Sequence, residues 1–428
     1  MADAMPLGEK RRRLEDEVDT AYFEKYDSAF VHEEMLRDGV RCKAYADAIA
    51  ACQAITGGGV VIEVGAGSGI LSCLCAKAGA RKVYAVEASA PTAKLCREVV
   101  RANKCEDVVE VLEMRLEDVE LPEGVRVDAI VSEWMGYFLF YESMLDSVIF
   151  ARDRWLKPGG CLLPSRAKLF LQPFSDARWR DLRAKHLSDV CGIDVSPLAA
   201  RLAAEEASEP AIQGIESEHL FGEPRQILDM DLATVSLAEF SSSIQLPMAI
   251  WERPRLVHSS SNGQSMPVHG FAGWFEVTFN PPAPPAWSLA QLLGAPSLAA
   301  RFAAPSTGPS EAPSEAHVVP RRVVLSTAPG QPRTCWHQTL FYLPSGALEV
   351  SSSDQLEAEV SLNRPAENRR WLSVSIRWTH VTPAGAKVSK PAVSWLLRSY
   401  AEAATRAPPL PVPRLRGTSR AACYGGAC

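Results

Sequence analysis

The chain has 428 residues, of which 47% are hydrophobic and 22% charged, with a net charge of −6 and 11 cysteines. A length of that order suggests two or three domains of roughly 150 residues each. No run of about 18 apolar residues is present, which argues against a membrane span, and the N-terminus lacks the apolar core of a secretory leader. It carries Lys10-Arg11-Arg12-Arg13 instead, a run that reads either as a nuclear address or as a solvated terminus. The cysteines are scattered and show no CxxC pair or Cys/His cluster with metal spacing, so they read as reduced thiols and no metal is expected. The acidic balance suits basic partners better than a phosphate backbone, so direct nucleic-acid binding is not expected.

In chain order, residues 1–20 are polar and charged and predict a disordered N-terminus. From Tyr22 to Ile55 apolar residues recur three and four apart, the helical period. Gly57-Gly58-Gly59 breaks that pattern, and Val60–Val64 follows as a buried parallel strand. Lys82–Val86, Val108–Leu112 and Val127–Ser132 predict further strands, with helices over Ile70–Ala78 and Pro91–Asn103. This alternation predicts an α/β, doubly wound, Rossmann-like domain over residues 21–164. After Pro164 short alternating runs take over at Ala167–Gln172, Gly270–Phe279, Thr339–Leu343, Leu356–Leu362 and Trp371–Trp378. They predict an antiparallel β-barrel domain over 165–385. An Ala- and Leu-rich helical stretch at 176–207 interrupts it as an arm would. Residues 280–318, with Pro281-Pro282 and Pro284-Pro285, read as a flexible insertion, and 386–428 as a disordered tail.

The chemistry begins at Gly65-Ala66-Gly67-Ser68-Gly69, between a strand and a helix. Glycines permit the tight turn and let backbone N–H groups approach a ligand, and the helix N-terminus favours a negative group. Glu87 ends the next strand, 87 − 67 = 20 residues on, where a carboxylate can accept both ribose hydroxyls. Loop and carboxylate serve NAD or S-adenosylmethionine alike, although the third glycine falls one position short of GxGxxG spacing. Glu117, past the third strand, is a candidate for the adenine amine. Glu133 and Glu142 then bracket an aromatic loop, Trp134 to Tyr141, at the carboxyl edge of the sheet. Two carboxylates in an apolar pocket are costly unless a cation pairs with them. A guanidinium, planar and always charged, offers donors to both. Held so, one terminal nitrogen can take a methyl group in line from a sulfonium.

These motifs, in this order, resemble those of the protein arginine N-methyltransferases. Glu133–Glu142 resembles their double-glutamate loop, Val61–Leu71 their first motif, and Tyr22-Phe23-Glu24-Lys25-Tyr26 their YFxxY lid helix. Met35-Leu36-Arg37-Asp38 and Arg41 match the helix that follows. The resemblance spans roughly residues 20–380, apart from 280–318, and is strongest to a nuclear, type I member. It implies a class I methyltransferase domain followed by a β-barrel with a helical dimerisation arm. It also implies S-adenosylmethionine as methyl donor, catalysis by Glu133 and Glu142, and mono- and asymmetric dimethylarginine as products. By the same resemblance Arg41 pairs with the donor's carboxylate beside Gly65 and Gly67. His32 and Met35 lie near the methyl group, and Tyr26, Met135 and Trp336 line the arginine tunnel. The implied partners are arginine-containing proteins, such as histones or Arg/Gly-rich chains, and a second copy in a homodimer. The implied location is the nucleus, with the cytoplasm as a second compartment.

One departure carries weight. The family's Thr-His-Trp loop is here Thr334-Cys335-Trp336-His337. The usual histidine pairs with an aspartate, which would be Asp38, and a thiol cannot replace that ion pair. Reduced or substrate-restricted turnover is expected. Glu63 in place of the commoner aspartate is a milder change. Two other readings stay open on the residues alone: a weakly active, cofactor-binding scaffold, and an NAD-dependent oxidoreductase.

Overall fold

The computed structural model describes residues 17–240, 243–252, 265–279, 322–344 and 346–398. The basic run at 10–13 and the expected insertion at 280–318 lie outside them. Four helices lead in: α1 (residues 17–25), α2 (Ala29–Arg37), α3 (Gly39–Ala51) and α4 (Gln53–Thr56). The α/β layer then runs β1 (Val60–Val64), α5 (Ile70–Ala78), β2 (Lys82–Glu87), α6 (Ala90–Ala102), β3 (Val109–Glu113), β4 (Val127–Ser132), α7 (Leu145–Trp155) and β5 (Leu156–Leu163). The sheet is parallel, in the order β3-β2-β1-β4-β5. β1 is buried along its whole length, as its run Val-Val-Ile-Glu-Val requires at the centre of a covered sheet. The strand order reverses between β1 and β4, and there the strands' carboxyl ends open a crevice. β1 runs into the glycine loop and β4 into Glu133, so topology alone brings the two motifs together.

The second half holds β6 (Arg166–Phe174), β7 (Ala211–Gln213), β8 (Arg225–Asp231), β9 (Ser243–Gln245), β10 (Ala249–Glu252), β11 (Met266–Val268), β12 (Gly270–Phe279), β13 (Val323–Ser326), β14 (Gln338–Tyr342), β15 (Leu348–Val350), β16 (Gln355–Asn363), β17 (Leu372–Val381), β18 (Lys387–Ser389) and β19 (Val393–Leu397). One six-stranded antiparallel sheet runs β7-β14-β12-β6-β8, with β13 on β12. The other runs β10-β16-β17-β18, with β9 on β16 and β19 on β17. Their inner faces meet through aromatic rings: Trp251 on Phe271 at 6.0 Å, Phe271 on Trp378 at 6.5 Å and Phe341 on Trp395 at 5.4 Å. Such rings supply most of the apolar burial in a barrel of short strands. α3 lies between the halves, with the Tyr45 ring edge-on to Phe279 at 4.9 Å and its hydroxyl donating to Ser132 O at 2.8 Å.

The arm is two helices, α8 (Ala177–Leu187) and α9 (Pro197–Ser208), inserted between β6 and β7. Arg180 and Arg183 of α8 both reach Glu206 of α9, while Leu182, Ile193 and Leu198 remain exposed. Two boundaries are corrected. The N-terminal segment is helical from residue 17, because Asp19 is buried among three arginines. The stretch set apart as a tail beyond 385 adds β18 and β19 to the barrel. Trp395 is 1% exposed and its indole donates to Ala207 O at the end of the arm; the charged, Pro-containing run 385–391 hid this from a hydropathy reading. β5 was also missed, because Lys157-Pro158-Gly159-Gly160 occupies its exposed first half. Among the described residues no helix is long and apolar enough to cross a membrane, and no side-chain cluster is placed to hold a metal.

Candidate active site

The glycine loop turns on residues in the left-handed region: Gly65, Gly67 and Gly69 have φ of 71°, 54° and 78°. A Cβ at Gly65 would come within 2.8 Å of Met144 Cε, and one at Gly69 within 2.7 Å of Cys96 Sγ. The loop is therefore closed to side chains from both sides. Glu87 is held at the crevice by two backbone donors, Gly67 N to Oε2 and Ser89 N to Oε1, both at 2.9 Å. Burial raises its pKa, against the pull of those donors. Behind the loop Glu63 is 1% exposed and accepts from the Ser72 hydroxyl; burial pushes its pKa up to about 8, against the pull of that bond. His32, from α2, is 5% exposed; its Nε2 donates to Tyr26 O at 2.8 Å, and the ring stands over Gly67.

At the end of β4, Glu133 Oε2 accepts from Arg41 Nη1 at 2.7 Å. Arg41 comes from the first turn of α3, whose N-cap is Asp38. Burial alone would make the guanidinium easier to deprotonate; the adjacent Glu133 carboxylate, together with Cys335, Cys42 and Tyr45 around it, outweighs that and holds it charged. Burial likewise raises the Glu133 pKa, with Arg41 opposing. Glu133 Oε1 and Arg41 Nε are buried without a hydrogen-bond partner. Arg41 is thus engaged with a glutamate rather than placed solely for a ligand carboxylate, and each member of the pair keeps one unused atom. Buried polar groups are rarely left so.

Glu142 sits on the far side of the aromatic loop. Tyr26 Oη donates to its Oε2 at 2.6 Å and Tyr22 Oη at 3.3 Å. Burial raises its pKa too, opposed by Tyr26 and Arg370. The loop is bent through four non-glycine residues with positive φ, Phe138 (48°), Leu139 (70°), Glu142 (79°) and Ser143 (58°). Conformations of that kind persist only where the surroundings impose them, and they gather at functional sites.

The cavity is lined by Tyr26, His32, Met35, Arg41, Gly65, Gly67, Glu87, Glu117, Glu133, Met135 and Glu142 together. Glu117 is exposed at its rim, accepting from Ser147 Oγ at 2.8 Å. Trp336 is a correction. It does not line the cavity; its indole donates to Met135 O at 2.7 Å, and its ring packs edge-on to Phe275 at 5.4 Å. It supports the wall from behind. Cys335 is where the departure from the family pattern falls. Its backbone N–H donates to Asp38 Oδ2 at 2.8 Å, while Asp38 Oδ1 accepts from Arg41 N at 2.9 Å. Burial raises the Cys335 pKa, so it is a neutral thiol. Sequence reasoning missed Asp19, Met144, Arg369 and Arg370, which also line the cavity. Asp19 and Met144 lie just outside the lid and double-glutamate motifs, and Arg369 and Arg370 lie in a turn that carries none.

The arrangement fits an adenosyl sulfonium donor. It offers a cradle that a Cβ would fill, a ribose-facing carboxylate, and an orphaned arginine nitrogen beside the loop. Fold and site together define a class I, S-adenosylmethionine-dependent methyltransferase. Residues 62–163 match the model of a methyltransferase domain, and residues 165–291 and 315–382 that of the arginine methyltransferase oligomerization subdomain. The chain is 40% identical over 366 residues to a probable protein arginine N-methyltransferase 6.1 of Oryza sativa subsp. indica, covering 85% of this chain and 89% of that one. Its fold is similar to protein arginine methyltransferase 10 of Arabidopsis thaliana, solved in an open conformation, with a TM-score of 0.67 at 30% identity over 88% of this chain and 100% of the other. It is also similar to a Trypanosoma brucei PRMT1 enzyme–prozyme complex with AdoHcy, with a TM-score of 0.64 at 28% identity over 87% and 99%. The chain belongs to the protein arginine N-methyltransferase family, and the oxidoreductase reading is set aside.

Both raised glutamates have a kinetic consequence. The acid limb of kcat/KM reports groups of the free enzyme. Here it is expected above the ordinary carboxylate range, with activity falling as pH falls through the raised values. A pH–rate profile whose limb sat at the ordinary glutamate value would show that the pair is solvated instead.

Proposed function

We propose that this enzyme methylates arginines in basic proteins, histones or Arg/Gly-rich chains among them, as a type I homodimer in the nucleus. The observation that carries the arginine assignment is the unused Glu133 Oε1, buried across the aromatic loop from Glu142. S-adenosylmethionine supplies the methyl group already activated as a sulfonium. Glu133 accepts from Arg41 on one oxygen and has the other for an incoming guanidinium. Glu142, with Tyr26 and Tyr22 donating to Oε2, accepts on the opposite side. The arriving cation opposes the burial that raises both pKa values, and so favours the ionised form of the pair. Positive charge drawn toward the two carboxylates frees the lone pair of the remaining terminal nitrogen. Positioning and fixed charge are the enzyme's contribution.

Support for assembly comes from the exposed Leu182, Ile193 and Leu198 on the arm, inside the region that matches the oligomerization subdomain. Support for the nucleus is the basic run at Lys10–Arg13. The test is incubation with radiolabelled S-adenosylmethionine and histone H4 or an Arg/Gly-rich peptide, with product hydrolysates separated. Asymmetric dimethylarginine is expected; absence of label on every arginine peptide overturns the reading in favour of a cofactor-binding scaffold.

Turnover is expected to be modest, because the residue whose amide meets Asp38 is Cys335, a thiol in place of a histidine. Cys335→His is expected to raise kcat by about tenfold, below the usual range for a positioned general base. An unchanged kcat would show that the two glutamates suffice.

A further inference from the structure

The glutamate loop is closed on itself by backbone bonds, Gly136 N to Leu139 O at 3.1 Å and Leu139 N to Gly136 O at 3.0 Å among them, and it is also held from outside. Its backbone is pinned from the barrel, by the turn between β16 and β17. Glu142 N donates to Arg370 O at 2.8 Å, and Arg370 Nη1 donates back to Glu142 O at 2.9 Å. Ser143 Oγ donates to Arg369 O at 2.6 Å. These bonds fall on Glu142 and Ser143, the second of the loop's two consecutive pairs with positive φ.

The Arg370 guanidinium does more than hold the loop. It lies 3.7 Å from the centre of the Tyr22 ring on α1, and Tyr22 is one of the two hydroxyls that reach Glu142. It also grips Asp19, one turn earlier on α1, with Nε at 2.9 Å and Nη2 at 2.7 Å from Oδ1. Asp19 is 2% exposed and collects two more cations on Oδ2, Arg369 at 2.6 Å and Arg115, beyond β3, at 2.7 Å. The helix that bears Tyr22 and leads directly into Tyr26 is therefore fastened to the barrel and to the α/β layer through one carboxylate. A buried carboxylate is tolerable only while its cations surround it, so the fastening forms as a unit.

We infer that Arg370 is a positioning residue for methyl transfer: it sets the Glu142 backbone and, through Asp19, locks α1 over the cavity, so that closing the lid and arranging the catalytic carboxylate are one event. This rests on the methyl-transfer reading of the cavity. A guanidinium is needed because its planar fork serves Glu142 O and Asp19 at once while its face covers Tyr22; an ammonium offers neither the fork nor the face.

The test uses the full chain with three variants, Asp19→Asn, Arg370→Lys and Arg370→Met, each checked for a wild-type-like thermal unfolding transition. S-adenosylhomocysteine affinity is measured by calorimetry, and kcat with saturating S-adenosylmethionine and an Arg/Gly-rich peptide. Asp19→Asn is expected to weaken S-adenosylhomocysteine about tenfold, the usual loss for a charged hydrogen bond. Arg370→Met is expected to weaken it as much and to cut kcat about tenfold further than Asp19→Asn does. The pH profile separates positioning from mere scaffolding. Removing the cation near Glu142 moves the acid limb of kcat/KM upward in Arg370→Met, whereas Arg370→Lys keeps the limb in place while losing kcat. Arg370→Met with affinity and kcat both near wild type overturns the inference, as does lost kcat with an unmoved limb. Hydrogen exchange of residues 17–25 gives a readout independent of catalysis. If the wild-type chain transfers no methyl but Arg370→Met still deprotects that helix, the methyl-transfer reading has failed and the fastening stands. If the helix stays protected, the fastening fails.

Discussion

Glu142→Gln is expected to lower kcat by about 10²–10³-fold, the loss typical when one preorganised charge-stabilising group is removed, while the protein still retains S-adenosylhomocysteine. The substitution is close to isosteric. Its amide oxygen can go on accepting from Tyr26 Oη, which lies 2.6 Å from the carboxylate in the native site, and the backbone bonds to Arg370 are untouched. What is lost is the negative charge, and with it the means to draw positive charge from the guanidinium. The amide nitrogen would also present donors to a group that has only donors. The measurement is label transfer at saturating cofactor and peptide, with calorimetry of S-adenosylhomocysteine alongside. A loss confined to cofactor affinity would assign Glu142 to the donor and not to the acceptor.

The second large effect is expected at a residue that touches no ligand. Gly273 lies in β12, paired with Leu171 of β6 and Thr339 of β14. A Cβ there would fall 2.1 Å from Phe138 Cε2. Phe138 is 2% exposed, edge-on to Phe341 at 5.0 Å, and already at φ 48°, so it has no easy retreat. Gly273→Ala should destabilise the fold by about 1–3 kcal/mol, as overpacking of a filled core does. The displaced ring should also drag the loop between Glu133 and Glu142 out of register, with kcat down on the order of 10²-fold for a shift near 1 Å. Urea unfolding and steady-state kinetics check the two parts separately. Lost stability with unchanged kcat would mean that the loop yields locally and the barrel does not set it.

The α/β layer was legible because its signals are local: β1 is a continuous apolar run, and the glycines that follow it have positive φ where the turn demands it. Glu133 and Glu142 were legible because a strand end and an aromatic loop make two carboxylates conspicuous. Gly273 and Arg370 were not. Each matters only for what approaches it from more than a hundred residues away, and neither glycine in a strand nor arginine in a turn is unusual by itself. Trp336 was misplaced for the converse reason. A family motif placed it near the site, but its side-chain direction depends on a long-range bond to Met135 O. The end of the barrel was lost because Trp395 is buried by the arm rather than by its neighbours in sequence.

Asp38 divides its two oxygens between the amide that starts α3 and the amide of residue 335. Neither bond involves a side chain at 335. The side chain at 335 can therefore be changed while the helix start, and with it Arg41, keeps its place. A change at position 38 would remove both anchors together, so the two halves of this pair stand under unequal constraint.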